Sequence, residues 1–196
     1  MSAEPGPIVL VGAPGAGKTT VGRALADRLG LGFVDVDAVI VERAGKPIAE
    51  IFADEGEEAF RTMEEQVTAE LLDQPGVLAL GGGAVLSART RSALRGRQVV
   101  WLRVGLAAAV KRVGMDTARP LLLGNVRGRL LGLLNERAPL YAEVATQVVD
   151  TDELDPAAAA ERIAAGRGAR PGVIGAPRRD QQGGSPPLAG RGGSDA

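Results

Sequence analysis

Short apolar runs alternate with longer amphipathic stretches along residues 1–165. Ile8–Val11 is an unbroken apolar run between Pro7 and Gly12 and predicts a buried strand. Val21, Leu25 and Leu29 mark one face of a helix over Lys18–Leu29. Phe33–Val36 predicts a second strand, after which Asp37 offers an N-cap to a helix closed by Gly45. Ile48–Ala53 predicts a short helix broken near Gly56, and Phe60, Met63, Val67 and Leu71 stripe a longer one ending near Asp73. Val77–Leu80 is a third strand, stopped by three glycines, and Gln98–Leu102 a fourth. A helix follows near Leu106–Arg112, another is marked by Leu130, Leu134 and Ala138, and Arg137 is placed at its end before Pro139. Gln147–Val149 is a fifth strand, and Pro156 opens a last helix at its first turn. Strands alternating with helices predict an α/β fold, a parallel sheet flanked by helices.

The pattern fades after residue 165. Residues 166–196 are rich in Gly, Pro and Arg and nearly free of apolar periodicity, so a disordered tail is expected there. One domain over 1–165 suits the 196-residue length. The irregular stretch 114–124 carries Arg119-Pro120 between Gly114 and Gly124, the layout of a mobile lid.

Composition removes several chemistries. There is no Cys and no His, so disulfides, thiolate or imidazole metal sites and Ser-His-Asp triads are excluded. Acid–base work falls to Asp, Glu, Lys or Tyr, and any metal would be a hard cation on oxygen. The 23 basic and 24 acidic residues leave a formal charge of −1, which argues against a nucleic-acid binder or a polybasic membrane binder. The acidic N-terminus lacks the basic region of a signal peptide. The uncharged stretch Gln74–Ala88 is too short and glycine-rich to span a membrane. A cytoplasmic monomer is the expectation.

The strongest motif is Gly12-Ala-Pro-Gly-Ala-Gly-Lys18-Thr19, which fits G-x-x-x-x-G-K-[ST] between a predicted strand and a predicted helix. Gly12, Gly15 and Gly17 let the backbone curl its N–H groups around an anion, and the helix N-terminus adds positive potential. Lys18 would reach the β- and γ-phosphates of ATP or GTP, and the Thr19 hydroxyl would ligate Mg²⁺. No Asn-Lys-x-Asp run marks a guanine-specific GTPase.

Three further constellations suggest a small anionic alcohol as phosphate acceptor. Asp35 and Asp37, two residues apart at a strand end, could serve the metal and a substrate hydroxyl, or Asp37 could merely cap the helix. Arg61 and Glu64, three apart on a helix, could form a carboxylate grip with Glu64 holding the guanidinium, or an ordinary surface ion pair. Gly81-Gly82-Gly83 allows a ligand to approach the backbone closely, or is simply a turn. Arg137 is a second candidate clamp, and Arg119 could cover the transferring phosphoryl group from the lid.

Taken together, GAPGAGKTT, FVDVD, IFADEGEEAFRTMEE, LALGGGAV, ARPLL and ERAPLY resemble the shikimate kinase family over roughly residues 7–165. The resemblance implies a five-stranded parallel sheet of order 2-3-1-4-5, as in nucleoside monophosphate kinases, and transfer of phosphate from ATP to shikimate. It implies a nucleotide site at Gly15, Ala16, Gly17, Lys18, Thr19 and Thr20, with Arg112 and Pro156 beside the adenine and Arg119 on the phosphates. Mg²⁺ would rest on Thr19 and, through water, on Asp35. Asp37 would take the hydroxyl proton, Arg61 and Arg137 would hold the carboxylate, and Gly81, Gly82 and Gly83 would contact the substrate. The acidic Asp152-Glu-Leu-Asp155 departs from the family, which often carries a basic residue near the adenine. Alternatives are a gluconate or other small-molecule kinase on the same scaffold, or a non-catalytic nucleotide-binding regulator.

Overall fold

The computed structural model describes residues 6–113 and 125–166. Five strands form one sheet: β1 (Ile8–Val11), β2 (Phe33–Asp35), β3 (Val77–Ala79), β4 (Val99–Arg103) and β5 (Gln147–Asp150). Their order is β2-β3-β1-β4-β5 and every pairing is parallel. That is the order the family resemblance implied. β1 is central and all four of its residues are buried, which is why it carries no polar alternation. Helices α1 (Lys18–Leu29), α2 (Val36–Ala44), α3 (Ile48–Leu71), α4 (Ala88–Leu94), α5 (Leu106–Val113), α6 (Val126–Val144) and α7 (Pro156–Gly166) make the crossovers and the cover. One core runs through the molecule, joining Leu10, Leu25, Ile40, Ile51, Leu102 and Ile163.

Three local features differ from the sequence expectations. β2 stops at Asp35, and Asp35, not Asp37, caps α2: its carboxylate accepts the backbone N–H of Asp37 at 3.1 Å. A carboxylate one residue nearer the strand already satisfies the orphan amide, so the helix begins at Val36. The break expected at Gly56 is present as a kink within α3, where Gly56 has φ 84° and ψ 172°. α6 continues past Pro139 to Val144, which puts Arg137 inside the helix rather than at its end. The buried Tyr141 and Val144 hold that last turn against the core and offset the amide bond lost at the proline. Finally, a 3₁₀ turn at Ala84–Leu86 and helix α4 follow the triple glycine, where no helix was anticipated. Ser87 starts α4 by accepting the Thr90 N–H at 3.1 Å.

The expected lid at 114–124, with Arg119, and the expected tail beyond Gly166 lie outside the described residues.

Candidate active site

All the predicted site residues within the described chain lie at the carboxyl ends of strands or on helices bordering them, where ligands bind in open parallel sheets. The phosphate loop joins β1 to α1. Gly12, Gly15 and Gly17 have φ of 153°, 81° and 87°, values that L side chains rarely adopt. A β-carbon at Gly15 would also stand 3.1 Å from the Ala109 carbonyl, because α5 packs directly on the loop. Gly17 caps α1 with no side-chain acceptor, which leaves the helix's first amides for an anion. Lys18 Nζ lies across the loop, donating to Gly12 O at 2.8 Å and Ala13 O at 3.3 Å. Thr19 and Thr20 follow on the exposed first turn of α1.

Thr19 is tied to the end of β2. Its hydroxyl donates to Asp35 Oδ2 at 2.7 Å, while Asp35 Oδ1 accepts from Asp37 N–H. The cap therefore links the phosphate loop, Asp35 and Asp37 in one chain of contacts. Among the described residues no group of three or more acidic side chains gathers as a metal cage. A hydroxyl backed by one carboxylate suits Mg²⁺, which takes most of its six oxygens from water and phosphate.

On the β5 side of the phosphate loop, Arg112 forms a hub. Its guanidinium donates to Gly15 O at 3.2 Å, to the Thr151 hydroxyl at 3.3 Å, and to the Thr151 and Asp152 carbonyls. The buried Thr151 in turn donates toward Ala16 O and Arg103 O, at 3.3 and 3.1 Å. So the loop after β5 is stitched to the phosphate loop just before Pro156, which is exposed at the first position of α7. Asp155 caps α7 by accepting the Ala158 N–H at 2.7 Å. Part of the unusual acidity of residues 152–155 is thereby used in holding this loop and the start of α7.

On the β3 side, a second cluster is built around the triple glycine that follows that strand. A β-carbon at Gly81 would collide with Glu64 Oε1 and come within 2.8 Å of Asp37 Oδ1. One at Gly83 would collide with the Arg61 guanidinium. Gly82 lies against Pro14 of the phosphate loop, 3.3 Å from its Cδ to the β-position, and its carbonyl accepts Arg137 NH1 at 2.9 Å. Asp37, Arg61, Glu64 and Arg137 thus converge on three residues without side chains, beside the phosphate loop. No surface pair is involved at Glu64, which is 2% exposed and accepts Arg61 NH1 at 2.7 Å. Glu57 holds the other side of the same guanidinium at 3.2 Å. Phe60 lies under Arg61, 5.2 Å from its Cζ, and stacks on Phe52 with centroids 4.7 Å apart.

Burial pushes the Glu64 carboxyl above its usual range, outweighing the lowering by Arg61; Asp37 adds to the rise and Arg137 opposes it. For Arg61 burial acts to lower the pKa, but the charge and hydrogen bond of Glu64, with Glu57, overcome it and the net direction is up. The pair is one-sided: the carboxylate carries the desolvation cost while the guanidinium keeps its charge. A groove of about 590 Å³ opens along Arg61 and Glu64, between α3 and the Gly83–Thr90 segment.

Two participants escaped the sequence reading. Thr151 gave no signal, since a lone Thr after a strand is common. Tyr141 donates its hydroxyl to the Gly82 carbonyl at 2.6 Å. Its spacing of four from Arg137 on a helix was visible, but only if the helix was carried through Pro139.

A parallel sheet ordered 2-3-1-4-5, a glycine-rich phosphate loop opening α1, and a carboxylate-and-guanidinium pocket alongside define a P-loop phosphotransferase. Residues 14–166 match the family model described as shikimate kinase. The chain is 60% identical over 157 residues to the shikimate kinase of Thermobifida fusca, covering 80% of this chain and 91% of that one. It is 57% identical to the shikimate kinase of Saccharopolyspora erythraea, covering 79% and 90%. The structure of the Acinetobacter baumannii shikimate kinase in complex with shikimate superposes with a TM-score of 0.79 at 42% identity, covering 83% and 92%. The chain belongs to the shikimate kinase family. A Sinorhizobium meliloti gluconokinase matches at 22% identity and a TM-score of 0.55, covering 83% and 91%, which reflects the shared fold alone.

Proposed function

We propose that this chain transfers the γ-phosphoryl group of ATP to the 3-hydroxyl of shikimate, giving shikimate 3-phosphate and ADP. One observation carries the reading: Asp37, Arg61, Glu64 and Arg137 gather around Gly81–Gly83, and Gly82 touches the phosphate loop. An anionic ring held there has its hydroxyl next to the triphosphate's end.

The geometry of the described residues supports a division of roles. Arg61, braced by Glu64 and Glu57, and Arg137, anchored on Gly82 O, present guanidinium faces to the substrate carboxylate. Asp37 orients the hydroxyl and accepts its proton as the oxygen attacks the γ-phosphorus and the bond to the ADP oxygen breaks. The loop amides of Gly15, Ala16 and Gly17, the first turn at Thr19 and Thr20, and Lys18 hold the phosphates; Lys18 leaves its two carbonyls to do so. In this reading Arg119 would offset charge on the phosphates, and Arg112 with Pro156 would border the adenine. Mg²⁺ on Thr19, with Asp35 behind it, would neutralise charge on the bound phosphates. Positioning and charge compensation supply most of the rate, since phosphoryl transfer asks little covalent chemistry of the protein. The reading includes a monomer acting in the cytoplasm; among the described residues no helix is long and apolar enough to cross a membrane.

The test is ADP release from purified protein with Mg-ATP and, in turn, shikimate, gluconate and AMP. Shikimate alone is expected to drive turnover. Release driven by gluconate or AMP but not by shikimate overturns the assignment.

A further inference from the structure

The carbonyl of Gly82 has two lone pairs, and the structure fills both. Arg137 NH1 donates at 2.9 Å and the Tyr141 hydroxyl at 2.6 Å. A carbonyl can only accept, so the phenol must be the donor in this contact. Tyr141 is 1% exposed, and its ring packs on Trp101 with centroids 5.9 Å apart, so the hydroxyl has no freedom to turn elsewhere. Arg137 sits one turn earlier on α6. Its Nε is buried and has no hydrogen-bond partner among the described residues, whereas NH1 is satisfied by Gly82. Such a guanidinium is half anchored and half waiting for an anion.

We propose that Tyr141 is a positioning residue for carboxylate recognition: by fixing the Gly82 carbonyl, its hydroxyl sets the anchor on which Arg137 turns its remaining N–H groups to the substrate. Without the hydroxyl, Arg137 alone restrains that carbonyl, and the peptide can rotate with it. The guanidinium then loses its direction but not its charge. The contact also ties α6 to the glycine segment that lies against Pro14. Burial raises the phenol to about 12, with Arg137 opposing the rise, so the hydroxyl keeps its proton across the working pH range.

The inference rests on shikimate being the acceptor, and the experiment separates the two. Tyr141→Phe keeps the ring and its packing on Trp101. It is expected to raise the KM for shikimate about tenfold, the upper end of what one neutral hydrogen bond is worth. The kcat and the KM for ATP should stay within about twofold, the signature of lost binding common to ground and transition states. KM does not depend on how much of the preparation is active, so partial misfolding does not blur the readout, and Trp101 emission reports the packing. An unchanged shikimate KM, a fall in kcat alone, or a parallel rise in both KM values overturns the role of Tyr141. Wild type without shikimate-dependent ADP release sinks the substrate assignment itself, and this inference with it.

Discussion

The two ends of the site are built on different principles. The proposed nucleotide end is written in consecutive residues, Gly12 to Thr20, and offers chiefly backbone amides, one lysine and a helix terminus. The acceptor end draws Asp37 from α2, Arg61 and Glu64 from α3, three glycines from the segment after β3, and Arg137 and Tyr141 from α6. A loop that binds through its main chain is a local property of sequence. A pocket that binds through side chains exists only after the sheet order has placed its contributors. Damage should divide accordingly: changes at the first end should spare acceptor binding, and changes at the second should spare ATP.

The largest effect is expected from Lys18→Ala. The structure holds Lys18 Nζ over the phosphate loop by two carbonyls, ready to exchange them for phosphate oxygens. Removing a preorganised charge partner costs about 3–4 kcal/mol, a factor of roughly 10² to 10³ in turnover. Steady-state kinetics should show that loss in kcat, while calorimetric titration with shikimate shows unchanged affinity. A matching collapse of shikimate binding would show that the two ends do not fail separately.

Next comes an alkaline transition that belongs to the acceptor end. Tyr141 has its folded pKa raised from 10.0 to about 12, chiefly by burial. A group raised on folding contributes stability that is whole below pH 10 and is lost as pH climbs through 12. At ~1.4 kcal/mol per unit the loss amounts to about 2–3 kcal/mol. Denaturant unfolding of wild type and Tyr141→Phe between pH 9 and 12 should show wild type losing that increment and the variant not. Parallel curves would mean that the phenol is not held as described.

Gly83→Ala should follow. Its added methyl collides with the Arg61 guanidinium, which Glu64 and Glu57 hold from the other side. Overpacking of this kind costs typically about 1–3 kcal/mol, here spent largely on displacing the clamp. The KM for shikimate should rise by about ten- to a hundredfold with the ATP KM unaltered. If the ATP KM rises in step, Gly83 belongs to the frame of both ends.

The same division explains what could be read in advance. The phosphate loop, the five strands to within one residue at each end, and the crossover helices α1 and α5 all carry local signals: apolar runs, glycines, one-face stripes. The strand order did not follow from those signals; it came with the family resemblance. Reading the pair Asp35 and Asp37 by strand alternation put them on one side for the wrong reason. Asp35 ends the strand and caps the helix, and the cap, not the pleat, joins the Thr19 hydroxyl, the Asp35 carboxylate and the Asp37 backbone amide. Arg137 looked terminal because Pro139 removes an amide, yet Tyr141 and Val144 bury enough to carry the helix onward. α4 was invisible because Ala88–Leu94 is short and its apolar positions do not make a stripe; Ser87 and contacts from α3 and α6 define it. Whether Glu64 holds Arg61 or pairs with it on the surface stayed open in the sequence, because burial of a helix face by a distant glycine segment leaves no local trace.

The smallest expected effect tests that buried carboxylate. Glu64 is raised by burial more than Arg61 and Arg137 lower it, with Asp37 also raising it. Its ionised form is therefore disfavoured by folding, and stability from this group is present below its unfolded value of 4.5 and lost as pH rises through the folded one. Glu64→Gln removes the titration and keeps the shape. Unfolding free energies of both proteins between pH 4 and 7 should then draw apart on acidification, wild type gaining relative to the variant. The gain is small because two guanidinium groups offset much of the desolvation. The opposite slope, with wild type losing ground as the pH falls, would mean that the ion pair with Arg61 outweighs burial, and the acceptor end would be a charge-stabilised clamp instead of a desolvated one.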